Sequence, residues 1–96
     1  MEVLITYDVS TETAAGRKRL RQVAKACEGY GQRVQKSVFE CIVNAAQLEA
    51  LRATLERIVD PAQDSLRIYR LLEPRERYVQ IIGVQPLHDL HNPLLI

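Results

Sequence analysis

Residues 32–43 read Gln-Arg-Val-Gln-Lys-Ser-Val-Phe-Glu-Cys-Ile-Val, and their phase decides the fold. The β-branched and aromatic content marks strand, but the apolar alternation breaks. Val34 and Val38 share one parity, whereas Phe39, Cys41 and Val43 share the other. A one-residue slip turns every later side chain to the opposite face. The stretch therefore holds either a β-bulge or two short strands joined by a tight reversal, and the residues leave both open.

Outward from this segment the pattern is simpler. Residues 2–9 contain Val3-Leu4-Ile5-Thr6-Tyr7, a buried strand. Residues 12–28 carry Leu20, Val23, Ala24 and Cys27 at helical spacing, with Thr11 as the expected cap and Gly29 and Gly31 as the stop. Asn44 opens a second helix over residues 45–59, with Leu48, Leu51, Leu55, Ile58 and Val59 as its stripe and Asp60-Pro61 as its end. Ser65–Leu72 is a strand with Leu66, Ile68 and Tyr69 apolar, and Tyr78–Val84 reads as one more. With the middle segment taken as a hairpin, the order is the ferredoxin-like β-α-β-β-α-β sandwich of α+β class, plus an extra C-terminal strand. That strand needs an edge, which a partner subunit could offer. Residues 1–84 form the expected domain and 85–96 a tail.

The chain of 96 residues suits one domain, and its net charge of +1 says little about partners. The distribution says more. Residues 16–36 carry Arg17, Lys18, Arg19, Arg21, Lys25, Arg33 and Lys36 against Glu28 alone. Such clustering is the footprint of a polyanion, gripped at its phosphates and not read by sequence. Cys27 and Cys41 lack metal-ligand spacing and read as buried free thiols, which suits a reducing cytoplasm. No apolar stretch approaches a bilayer span, so no membrane role is expected. His88 and His91 read as surface residues of the tail.

Asp8 ends the first strand, just before Ser10 and Thr11. A carboxylate at a sheet rim is usually a solvated or capping acid. Mg²⁺ takes one or two carboxylates and completes its octahedron with water or phosphate. A two-fold dimer would bring a second Asp8 to the same ion, and a shared ion would polarise a phosphate oxygen or activate a water.

Three segments carry a family resemblance: Leu4-Ile5-Thr6-Tyr7-Asp8-Val9-Ser10, Arg17-Lys18-Arg19-Leu20, and Tyr30-Gly31-Gln32-Arg33-Val34-Gln35-Lys36-Ser37-Val38-Phe39-Glu40. The third is the most specific. Together they resemble the small second CRISPR-associated protein, the non-integrase subunit of the spacer-acquisition complex, over residues 2–84. The resemblance implies a ferredoxin-like homodimer that bridges the CRISPR integrase subunit and holds double-stranded prespacer DNA. It implies Mg²⁺, or another divalent cation such as Mn²⁺, shared between the two Asp8 carboxylates, and a metal-dependent endonuclease or endoribonuclease activity on DNA or RNA. By motif position it places Arg17, Arg19 and Arg33 near that site, with Ser37 and Phe39 alongside. The tail after Val84 is expected to dock on the integrase subunit.

The residues qualify some of this. A lone strand Phe such as Phe39 is usually core, and Ser37 has no His or Lys motif that would make it a nucleophile. Rival functions are an mRNA-cleaving toxin-like nuclease on the same fold and a small-molecule-sensing ferredoxin-like regulatory domain. The latter has no need of a basic helix beside a rim acid. An RNA-recognition module stacks bases on sheet aromatics, and the chain has one Phe and four Tyr with no aromatic-rich central strand.

Overall fold

β1 (Glu2–Asp8) buries Val3, Ile5 and Tyr7 and turns Leu4, Thr6 and Asp8 the other way, so it has one core face and one open face. The computed structural model describes residues 1–84, and in it this strand is central to a four-stranded sheet. The elements that follow are α1 (Ala14–Glu28), β2 (Gly31–Gln35), β3 (Val38–Ile42), α2 (Ala45–Ile58), β4 (Ser65–Leu71) and a single helical turn, α3 (Arg75–Tyr78). The sheet order is β2-β3-β1-β4, antiparallel throughout. This is the expected α+β, ferredoxin-like arrangement.

The ambiguous middle segment contains both devices. A reversal at Lys36–Ser37 joins β2 to β3, and the β2–β3 register also slips between Arg33 and Gln35. The slip explains the broken alternation: Phe39 and Cys41 stay on the core face, while Val38 and Ile42 turn to the open one. Gly31 is required where β2 meets β3, because a Cβ there would lie 2.1 Å from the Glu40 carbonyl oxygen and 2.7 Å from the Cys41 sulfur.

Both helices pack on one face. α1 buries Val23, Ala24 and Cys27; α2 buries Leu51 and Leu55. They close over Val3, Ile5, Phe39, Cys41 and Val43, with Leu20, Leu48, Ile58, Val59, Leu66 and Ile68 at the margin. The cap of α1 differs from expectation. Thr13, two residues after Thr11, accepts the Gly16 N–H at 3.0 Å, and the Thr11 carbonyl accepts from Arg17 instead. The helix starts at Ala14, two residues later than expected, and Gly16 packs against the Ser10 carbonyl, where a Cβ would come within 1.9 Å. α2 begins as expected. Asn44 and Gln47 form a reciprocal capping box, the two bonds measuring 2.8 and 2.9 Å. Asn44→Ala is expected to cost about 1 kcal/mol in a urea titration while leaving the denaturant slope unchanged.

The expected strand over Tyr78–Val84 is not formed. Arg75–Tyr78 is a helical turn and residues 79–84 have no regular element. Both outer strands stand without a further partner among the described residues, and this segment pairs with neither. Ile81, Ile82 and Val84 stay in solvent, with Ile82 95% and Val84 94% exposed. The expected tail, 85–96, lies outside the described residues.

Candidate functional site

Asp8 is exposed at the end of β1, and it belongs to the open face. Its register partner on β4 is Ser65, and Thr6 is opposite Arg67. Directly opposed residues share a sheet face, so Ser65, Arg67 and Tyr69 stand on Asp8's side. Arg67 donates to the Tyr69 hydroxyl at 2.9 Å, a contact that steadies both side chains. Further along, the same face presents Leu4, Val38, Ile42 and Leu71, with Ile42 74% and Tyr69 43% exposed. Among the described residues no helix covers this face at Asp8's end. Uncovered apolar residues of this kind mark an interaction surface.

Asp8 has the right chemistry for a hard cation and the wrong number of companions. Among the described residues no three His, Cys, Asp or Glu side chains gather to hold a metal. At its Asp8 end the open face of one protomer thus offers one carboxylate, with Glu2 and Glu40 engaged by Arg75 at the far end, and that fits one of the one or two carboxylates that Mg²⁺ takes. A second sheet laid on the same face would be the way to bring another.

The loop that follows Asp8 is pinned by a residue the sequence reading missed. Asp64 is fully buried at its side chain. It accepts the Ser10 N–H at 3.0 Å, the Asp60 N–H at 2.9 Å and the Arg19 Nε–H at 2.8 Å. These bonds, the Arg19 guanidinium first, hold its carboxyl down to about 2. Arg19 is correspondingly raised, chiefly by the bond to Asp64. Arg19 is therefore held as a strut between α1 and the β4 entry, and it differs in this from the free cations expected around it. Its side chain is 15% exposed.

The other basic candidates divide into two places. Arg17, Lys18 and Arg21 are exposed on α1. Arg33 belongs to the helix side: its guanidinium carbon lies 5.3 Å from the Phe39 ring centroid. Phe39 is completely buried and stacks with Tyr7 at 6.3 Å, so it is core and not a contact residue. Burial pushes the Tyr7 hydroxyl up, and Arg33 opposes this. Ser37 lies in the hairpin turn and its carbonyl accepts the Tyr7 N–H at 3.1 Å. The fold thus brings Arg33, Phe39 and Ser37 together with Tyr7. Within a single protomer it puts Arg33 and Phe39 on the face of the sheet opposite Asp8.

At the far end of the open face, Arg75 bonds Glu40 at 2.9 Å and lies 3.6 Å from Glu2, folding the chain back after β4. Cys27 and Cys41 are free and buried, as expected. Burial pushes their thiols up to about 12 and about 11, respectively. Neither thiol should react with iodoacetamide in the native protein at pH 8, and both should label in denaturant. Rapid native labelling of either would contradict this placement. No helix of the described residues is long and apolar enough to cross a membrane.

Comparison with known proteins gives a consistent result. The family model described as CRISPR associated protein Cas2 matches residues 1–78. The chain is 58% identical over 96 residues to CRISPR-associated endoribonuclease Cas2 1 of Moorella thermoacetica, covering all of both chains. It is 56% identical over 95 residues to CRISPR-associated endonuclease Cas2 of Halalkalibacterium halodurans, covering 99% of each. Among solved structures, that of Streptococcus pyogenes Cas2 at pH 6.5 is similar with a TM-score of 0.79 and 54% identity, covering 86% of this chain and all of the other. A hypothetical protein from Thermus thermophilus is similar at a TM-score of 0.74 and 35% identity, covering 88% and 93%.

Proposed function

Because the chain belongs to the family described as CRISPR associated protein Cas2, we propose that it is a CRISPR adaptation protein that works as a homodimer with a divalent-metal-dependent endonuclease centre. The observation that carries this reading is the position of Asp8, an exposed carboxylate on a sheet face that no helix of the described residues covers at that end. Two such faces laid together about a two-fold axis bury Leu4, Val38, Ile42 and Tyr69 and bring an Asp8 from each protomer toward the axis. Relatives are named both endoribonuclease and endonuclease, which supports phosphodiester hydrolysis with RNA or DNA as substrate.

In the dimer, Asp8 and the partner's Asp8 would hold Mg²⁺ or Mn²⁺. The bound ion would supply charge stabilisation at a phosphate oxygen and a more acidic water. Arg67, two register positions from the Asp8 partner Ser65, is placed to offset phosphate charge on the same face. The exposed cations Arg17, Lys18 and Arg21 are positioned to hold the duplex beyond the reacting bond, as sequence-tolerant, salt-sensitive contacts. A second role is scaffolding: the dimer binds prespacer duplex and bridges copies of the integrase subunit.

Both roles are testable on the purified full chain. Incubated with RNA and with duplex DNA, it should cleave in Mg²⁺ and not in chelator. Scaffolding is read by co-purification with the integrase subunit, where removal of residues 78–96 should abolish the complex. An intact complex without that segment would remove the docking role from it.

A further inference from the structure

The last rung between β1 and β4 pairs Asp8 with Ser65, and one side chain ties both ends of it. Asp64 leads directly into Ser65, and its carboxylate accepts the N–H of Ser10, two residues past Asp8, at 3.0 Å. That carboxylate is fixed in turn. The Asp60 N–H donates to one of its oxygens at 2.9 Å, and Arg19 reaches both oxygens, at 2.8 and 3.3 Å. The Ser10 carbonyl lies so close to Gly16 that a Cβ there would come within 1.9 Å. Ser10 is thus held through its N–H by Asp64 and packed at its carbonyl by α1.

The chemistry of this clamp is specific. Joining α1 to the β4 entry does not call for charge, since an apolar pair of similar volume is often as stable as a buried ion pair. A carboxylate offers what an apolar side chain does not: two oxygens for two backbone N–H groups from separate parts of the chain. Asp64 uses both, with its side chain fully buried. Arg19 belongs to α1, so the clamp works from the helix side of the sheet, while Asp8 projects from the open side.

We propose that Asp64 is a positioning residue for the metal centre: by clamping Ser10 to the β4 entry it holds Asp8, at the end of β1, where it binds a divalent cation. The proposal rests on the reading of Asp8 as half of a metal site. Strand ends without such a tie open locally at little cost. Mg²⁺ demands near-ideal octahedral geometry, and its ligands must be held to within about 0.5 Å. Groups behind metal ligands typically set affinity by about 10–100-fold. A clamp on the backbone two residues away belongs at the lower end, about 10-fold.

The test measures binding of Mn²⁺ alone to the full-length protein, from the loss of the free-ion electron paramagnetic resonance signal. Dimer fraction is followed on the same samples by sedimentation velocity. Asp64→Ala removes the clamp. Arg19→Gln removes its orienting cation, and decides the matter if Asp64→Ala does not fold. Leu51→Ala truncates the buried stripe of α2 and removes no hydrogen bond of the clamp. Both clamp variants should bind Mn²⁺ about 10-fold more weakly at unchanged dimer fraction, and Leu51→Ala should bind as wild type does. Wild-type affinity in either folded clamp variant overturns the proposal. So does an equal loss in Leu51→Ala, which would trace the effect to stability, or a loss in step with dimer dissociation, which would trace it to assembly. No Mn²⁺ binding by wild type overturns the metal reading of Asp8 itself.

Discussion

Asp64→Ala should lower the unfolding free energy by about 3 kcal/mol, because removing one partner of a buried pair strands the other. The loss has several parts. The Ser10 and Asp60 N–H groups lose their acceptor, and the Arg19 guanidinium loses its counter-charge. Domains of this size hold roughly 5–15 kcal/mol in all, so the melting temperature should fall by about 10–20 °C. The pH dependence has a definite sign. The folded carboxyl sits near 2, below its unfolded value of about 3.9. Between those values the unfolded chain binds more protons, so stability rises with pH through that window and is complete above it. Acid should therefore remove this contribution as pH falls from about 4 towards 2, and Asp64→Asn should flatten that limb of the stability curve. A wild-type acid limb in Asp64→Asn would show that the carboxylate does not carry it.

Asp8→Asn should abolish metal-dependent cleavage and leave the fold intact. The side chain is exposed at a strand end, and surface changes away from caps and cores rarely exceed about 0.5 kcal/mol. Its proposed task is to hold the ion. An ion that supplies several kcal/mol of charge stabilisation accounts for at least about 100-fold in rate at about 1.4 kcal/mol per factor of ten. The variant should accordingly lose about 100-fold or more in Mg²⁺-dependent cleavage, with unchanged melting temperature and duplex affinity. Equal cleavage by Asp8→Asn and wild type would remove Asp8 from the chemistry. Loss of cleavage with loss of dimer would assign it a structural role instead.

Much of this was legible from residue patterns because each element carries its own period. The α2 stripe and its Asn44 cap appear as the sequence dictates, since capping and amphipathicity are local. The flip between Val34 and Phe39 correctly announced an irregularity, but a parity break looks the same for a bulge and for a turn, and here both occur. The Tyr78–Val84 strand was overread. Its apolar, β-branched residues fit a strand, but a strand exists only when an edge accepts it, and edges are not local information. Asp64 was missed for a similar reason. A lone acid after a proline reads as surface; only the tertiary approach of Ser10 and Arg19 makes it a hub. Arg67 was readable. It alternates with Leu66 and Ile68, which pack on the core, and so had to share the open face with Asp8. Phe39 was read as core and is buried, whereas Arg33 could be matched to a motif but not assigned to a face, because the register slip lies next to it.

The central claim is that Asp8 is half of a site completed by a symmetry mate on the open sheet face. The most direct measurement is a crystal structure of the dimer grown with Mn²⁺, using anomalous scattering to locate the ion. The account predicts one Mn²⁺ per dimer, on or near the two-fold axis, with oxygens of both Asp8 carboxylates about 2 Å from it. A dimer built through another face, or one whose two Asp8 carboxylates are too far apart for one ion to bridge, would contradict it.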